Sequence, residues 1–145
     1  MKIIKASEKE LNSLVELENI LWKKHTALEL LAETKQLISN NKNVFFLAYE
    51  GDIAIGFAHI ALRYEYVEGC SSLPTGYLEG IFVLKKYRRK KVASNLVANC
   101  EEFAKQNGCI QFASDCELKN ISSLKFHKRI GFKVASRNIH FIKEI

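Results

Sequence analysis

A single proline, a single tryptophan and a single methionine are spread over 145 residues, with no internal repeat, low-complexity tract or linker. One domain spanning residues 1–145 is expected, long enough to bury roughly 70% of its unfolded surface. No apolar run approaches the ~20 residues of a membrane span. The start, Met1-Lys2-Ile3-Ile4-Lys5, lacks the apolar core of a secretory signal, so the expected location is cytoplasmic. The four cysteines, Cys70, Cys100, Cys109 and Cys116, show no C-x-x-C spacing and no accompanying histidine cluster. That argues against a metal site and for free thiols packed as small apolar groups.

What is present is ordinary for a soluble protein: 48% hydrophobic and 26% charged residues, with a net charge of +6. Ile3 and Ile4 suggest a first strand. Ser7 and Glu10 form a capping box ahead of Leu11, Leu14, Val15, Leu21 and Trp22 at helical spacing. A second helix is predicted from Ala27 to Ile38. Strands Val44 to Tyr49 and Ile53 to Tyr66 meet at a Glu50-Gly51-Asp52 hairpin. After a loop through Pro74 come a strand at 77–84 and a helix closed by Gly108. A strand from Ile110 to Cys116, a helix from Asn120 to Ile130 stopped by Gly131, and closing strands between Phe132 and Ile142 complete the chain. The order β-α-α-β-β-β-α-β-α-β implies an α+β fold with a mixed sheet.

The chain is organised around residues 77–97. A strand, Tyr77 to Leu84, runs into a loop in which every residue from Lys85 to Lys91 except Tyr87 is basic. A helix follows, with Val92, Ala93, Leu96, Val97 and Cys100 on one face. Free amides of a helix start beside such a loop make an anion site that suits a pyrophosphate.

From Arg88 to Ala93 this stretch resembles the acyl-CoA-binding motif of the GNAT acetyltransferases, with Lys91 where that family usually has glycine. Asn120, Ser123, His127 and Gly131-Phe132 resemble its second signature. The resemblance implies a GNAT fold, in which strands 77–84 and 110–116 lie parallel and splay to admit a pantetheine arm. It also implies acetyl-CoA as cosubstrate. Backbone amides of Ile81, Phe82 and Val83 would hold the arm, Asn120 would bond it, and Arg88, Arg89, Lys90, Lys91, Val92, Ala93 and Ser94 would hold the pyrophosphate. His127 stands where a tyrosine usually protonates the leaving thiolate.

Nearly the whole chain is similar to compact aminoglycoside 6'-N-acetyltransferases. The similarity runs through Trp22 and His25, the segment Arg63-Tyr64-Glu65-Tyr66-Val67-Glu68-Gly69, Leu78-Glu79-Gly80-Ile81 and Phe112-Ala113-Ser114-Asp115. It implies that Trp22, His25, Tyr66, Glu79 and Asp115 line a drug site, with Ser136 where an acidic residue is common, and that the protein is a homodimer. The residue chemistry agrees. Polycationic drugs need carboxylates for their ammonium groups and aromatic faces for their sugars. Glu79 interrupts an apolar strand, where an unpaired carboxylate is costly, and burial there suits it to take a proton from the amine.

Two other readings stand beside this one. A GNAT enzyme could act on another amine: a polyamine, a protein N-terminus or a lysine. A basic nucleic-acid-binding domain would need cations interleaved with exposed aromatics over a wider face. Much of the positive charge is already claimed by the phosphate loop, so no nucleic-acid partner is expected, and no membrane partner either.

Overall fold

Apolar alternation along the middle of the chain builds the centre of a five-stranded sheet in the computed structural model, which describes residues 1–145. β1 (Lys2–Lys5) leads to the capping box, where the Ser7 amide donates to Glu10 Oε2 at 2.7 Å. α1 (Leu11–Leu21) follows. The Thr26 hydroxyl accepts the Glu29 amide and starts α2 (Ala27–Ile38). β2 (Asn43–Glu50) and β3 (Ile53–Arg63) form the expected hairpin, with Gly51 at φ +58° in the turn. β4 (Thr75–Val83), α3 (Val92–Gln106), β5 (Phe112–Ser114) and α4 (Ile121–Arg129) complete the regular structure.

The strands lie in the order β1-β2-β3-β4-β5. All pairs are antiparallel except β4 with β5, which are parallel. Period-two alternation gives the sheet two apolar faces. Val44, Phe46, Ala48, Ile60, Leu62 and Leu78 pack with Val92, Leu96 and Cys100 of α3. Phe112, Phe126 and Ile130 join this cluster, so α4 shares the α3 face. Phe45, Leu47, Phe57 and Phe82 pack on the other face with Leu14 and Leu17 of α1.

Both C-terminal glycine stops are Schellman motifs. At the end of α3 the Gly108 amide donates to the Lys105 carbonyl and the Cys109 amide to the Ala104 carbonyl. At the end of α4 the Gly131 amide donates to the Lys128 carbonyl and the Phe132 amide to the His127 carbonyl.

Three boundaries depart from the sequence reading. β3 ends at Arg63, leaving Tyr64 and Tyr66 exposed beyond it. β5 covers only residues 112–114, because its ladder with β4 consists of Gly76↔Phe112, Tyr77↔Ala113 and Leu78↔Ser114. The closing strands expected between Phe132 and Ile142 do not form. Ala135 lies against Gly69 and Asn138 Nδ2 donates to Glu68 Oε2. Ile139, Phe141 and Ile142 are exposed. Their apolar spacing suits a strand, but the chain's own sheet gives them no ladder.

Candidate active site

The site lies where β4 and β5 part. Their ladder stops at Leu78↔Ser114, while β4 continues to Val83. From there the β5-side edge of β4 has no strand beside it. The Leu84 amide donates to the Ile55 carbonyl, and the register pairs Phe82 with Phe57. Antiparallel alternation therefore turns the backbone of Phe82 toward β3 and that of Ile81 and Val83 toward the open edge. Of the three amides expected to hold a pantetheine arm, that of Phe82 therefore faces β3 and those of Ile81 and Val83 face the open edge. The Val83 carbonyl is already taken by Arg88 Nε at 2.9 Å.

At the mouth of this wedge β4 carries a bulge. His59 pairs with Gly80 and Ile60 with Leu78, so Glu79 is the extra residue. Leu78 packs on the α3 face. The bulge turns both Glu79 and Gly80 to the α1 face. Glu79 meets Arg63 there, and Gly80 lies under the Trp22 indole, where a Cβ would come within 2.9 Å of the ring. Trp22, at the end of α1, also tilts against Phe57.

Arg63 organises the acidic residues. Its Nε and Nη2 donate to Glu79 Oε1 at 3.0 and 2.8 Å. Its guanidinium carbon lies 3.4 Å from the centroid of the Tyr77 ring. The Tyr77 hydroxyl in turn donates to Asp115. Glu79, Arg63, Tyr77 and Asp115 therefore form one network across β3, β4 and the end of β5. Burial and the adjacent Asp115 carboxylate raise the Tyr77 pKa, keeping the phenol a donor. The two expected acids thus belong to one network. Neither Arg63 nor Tyr77 was singled out as a member of it. The signal for Tyr77 was its place two residues before Glu79 on an alternating strand.

Neither His25 nor Tyr66 hydrogen-bonds to this network. His25 is exposed, with Nδ1 3.5 Å from Glu29 Oε2. Tyr66 is 73% exposed in the loop after β3.

The basic loop is shaped for an anion. The amides from Arg89 to Ser94 donate to no backbone acceptor, and α3 begins with Lys91 in the left-handed region at φ 63°, ψ 12°. Arg89 is also left-handed, at φ 61°. Such turns gather successive N–H groups into a concave nest. These amides, the α3 N-terminus and the side chains of Arg89, Lys90 and Lys91 fit a pyrophosphate. Arg88 Nε also ties the loop to the end of β4 through the Val83 carbonyl.

Asn120 caps α4, its Oδ1 accepting the Ser123 amide at 3.0 Å. Its amide N–H groups remain available to a ligand carbonyl. His127, two turns on, is tightly held. Nδ1 lies 2.7 Å from the Ser123 carbonyl oxygen, Nε2 lies 2.8 Å from Ser114 Oγ, and Phe132 packs against the ring at 5.1 Å. No cluster of His, Cys, Asp or Glu is placed to hold a metal ion, and no helix is long and apolar enough to cross a membrane.

The profile of the Acetyltransferase (GNAT) family matches residues 11–132. The chain belongs to this family. Within GNAT proteins it is 39% identical over 145 residues to aminoglycoside N(6')-acetyltransferase type 1 of Acinetobacter haemolyticus, covering 100% of this chain and 99% of that one. The enzyme of that name from Serratia marcescens is 33% identical over 144 residues, with 99% of each covered. Among solved GNAT structures, AAC(6')-Iy in complex with the bisubstrate analogue CoA-S-monomethyl-acetylneamine superposes with a TM-score of 0.95. It shares 33% identity and covers 99% of this chain and 98% of that one. The apo aminoglycoside 6'-N-acetyltransferase AAC(6')-IG of Acinetobacter haemolyticus gives 0.94 at 39% identity, covering 100% and 99%.

Proposed function

We propose that this chain transfers the acetyl group of acetyl-CoA to the 6'-amino group of aminoglycoside antibiotics, by direct attack in a ternary complex, and so confers resistance. The observation that carries the reading is the acidic network at the mouth of the wedge. Two carboxylates and an indole meet beside an open strand edge and a nest of amides with no backbone acceptor, in a chain similar end to end to enzymes of that name.

The roles follow from position. Asp115 and Glu79 pair ammonium groups of the drug, and Trp22 offers an aromatic face to its sugars. Glu79 also takes the proton that the amine must lose before attack, through Oε2, since Oε1 is occupied by Arg63. Ile81 and Val83 hold the pantetheine arm, with Asn120 as a further donor. The loop from Arg89 to Ser94 holds the pyrophosphate. His25 and Tyr66, both exposed, are further contacts for the drug in this reading. Orientation of amine against thioester supplies most of the acceleration.

The functional unit is a cytoplasmic homodimer in this reading. The exposed Ile139, Phe141 and Ile142 support it, since a second copy offers such a segment a place to bury them. Light scattering of the full chain tests this point.

The deciding experiment is acetyl-CoA turnover with kanamycin-type drugs, polyamines and basic peptides, locating the added acetyl by mass spectrometry. Acetylation at the 6'-nitrogen with kcat/KM well above that for the other amines is expected. A polyamine or peptide as the better substrate would move the assignment to another amine. Asp115→Asn should raise the drug KM by roughly tenfold, the loss of one charged hydrogen bond, and leave the acetyl-CoA KM in place.

A further inference from the structure

Both nitrogens of the His127 ring are engaged by protein groups. Its Nδ1 faces the Ser123 carbonyl oxygen at 2.7 Å, an atom that can only accept, so Nδ1 carries a proton. In the neutral ring Nε2 is then the bare nitrogen, and it accepts from Ser114 Oγ at 2.8 Å. In the imidazolium Nε2–H instead donates to that same oxygen. Nδ1 also lies 3.3 Å from Ser123 Oγ, on its own helix, so the polar partner of this ring outside α4 is the Ser114 hydroxyl.

Ser114 is the last residue of β5 with a partner on β4, so its hydroxyl stands where the wedge opens. It lies on the α3 face, as do its neighbour Leu78, Phe112 two residues earlier, and Phe126 of α4. Glu79, one residue beyond Leu78, is turned by the bulge to the α1 face. The proposed base and the Ser114 hydroxyl thus flank the same opening from opposite faces of the sheet. A reaction that removes a proton from an attacking amine and returns one to a leaving sulfur needs proton-transfer groups on both sides.

We propose that Ser114 is the catalytic acid of this site and that His127 is the positioning residue that recharges it. The proposal rests on the acetyl-transfer reading above. When the C–S bond breaks, its electron pair goes to sulfur as thiolate. The Ser114 O–H proton passes to sulfur, giving the thiol. The Nε2–H proton of the His127 imidazolium passes to Ser114 Oγ, restoring the hydroxyl and leaving neutral His127, which regains its proton from solvent. Nothing else is consumed. The Schellman contact of Phe132 and the Ser123 carbonyl hold the ring so that only Nε2 faces the serine.

The test uses the full chain, after wild-type turnover of acetyl-CoA with an aminoglycoside has been established. Absence of that turnover would refute the parent reading and leave the geometry of the pair to the spectroscopic arm. Ser114→Ala should lower kcat by about tenfold or more, with both KM values and the melting temperature within twofold and two degrees or so of the wild type. Ser114→Thr, which keeps a hydroxyl, should recover most of kcat. His127→Ala should cost a similar factor, and the double variant no more than either alone, because the two act as a unit. Independently of activity, nitrogen NMR of labelled histidine should show His127 protonated at Nδ1, with the Nε2 signal changed in Ser114→Ala. A neutral ring protonated at Nε2, additive losses in the double variant, or an undiminished kcat in Ser114→Ala would each overturn the relay.

Discussion

Arg63 grips Glu79 by one oxygen only. Both guanidinium bonds converge on Oε1 and Oε2 is left free. The arginine therefore fixes the carboxylate's direction without using up its capacity to accept, and the Tyr77 ring beneath keeps the guanidinium in place. Removing it frees the Glu79 side chain to rotate. Arg63→Ala should lower kcat/KM for the drug by about tenfold while leaving the acetyl-CoA KM unchanged. Arg63→Lys should recover only part, since an ammonium lacks the fork and stacks poorly. Steady-state kinetics on the three proteins checks this.

Lys91 holds a backbone shape that favours glycine. A non-glycine residue in the left-handed region costs roughly 1–2 kcal/mol, and Lys91 adopts it to start α3. Lys91→Gly should therefore raise the melting temperature, by about 1 kcal/mol in stability, while Lys91→Ala should not. For the cosubstrate, loss of charge should raise the acetyl-CoA KM in Lys91→Ala, and less in Lys91→Gly, where the backbone can approach the phosphate. Thermal unfolding together with acetyl-CoA kinetics separates the two effects.

Glu18 is a carboxyl enclosed between α1 and α2, 2% exposed, accepting a hydrogen bond from Thr34 Oγ1 at 2.7 Å. Burial raises its pKa to about 7. The folded state thus holds this proton more tightly than the unfolded chain does. The stability it contributes is fully present below the ordinary carboxylate range and is lost as pH rises toward about 7. Glu18→Gln keeps the acceptor and removes the charge. It should stabilise the protein at pH 8 by on the order of 2 kcal/mol and have little effect at pH 4.5. Chemical denaturation at the two pH values checks it.

The transfer proposed here uses no thiol. Cys100 is buried, with its pKa pushed up to about 12, and Cys109 is also raised by burial. Cys116, the thiol beside Asp115, is exposed and has no base bonded to it. Initial-rate lines with both substrates varied should intersect, and Cys116→Ala should keep most of kcat. Parallel lines with an acetyl group trapped on Cys116 would replace direct attack by a covalent route.

The central strand, basic loop and α3 were legible because each has its own period and its own punctuation: Pro74 ahead of the strand, Gly108 after the helix. Glu79 was legible as a charge in an apolar strand. What no period reveals is who meets whom across the sheet. Arg63 read as ordinary alternation with Tyr64 and Glu65, yet it is the partner of Glu79. Ser114 read as a small polar residue in a strand, and only the end of the ladder gives it a place. Glu18 had a signal that was passed over, since it falls four residues after Leu14 and three before Leu21 on the apolar face of α1. The tail from Phe132 to Ile142 has strand spacing, but spacing alone does not supply a neighbouring strand.

β5 stops after three residues, and that shortness makes the protein an unfinished sheet. From Ile81 onward a row of backbone groups waits for a neighbour that the chain does not provide, and an arm bearing its own amides can serve as that missing strand. Cosubstrate binding then belongs to the same class of event as strand docking, the last step of assembly. Its concentration enters the folding equilibrium directly, as RT ln(1 + [L]/Kd). The heat resistance of this enzyme should accordingly follow the supply of acetyl-CoA around it, so that a well-fed pool keeps the protein whole as well as active.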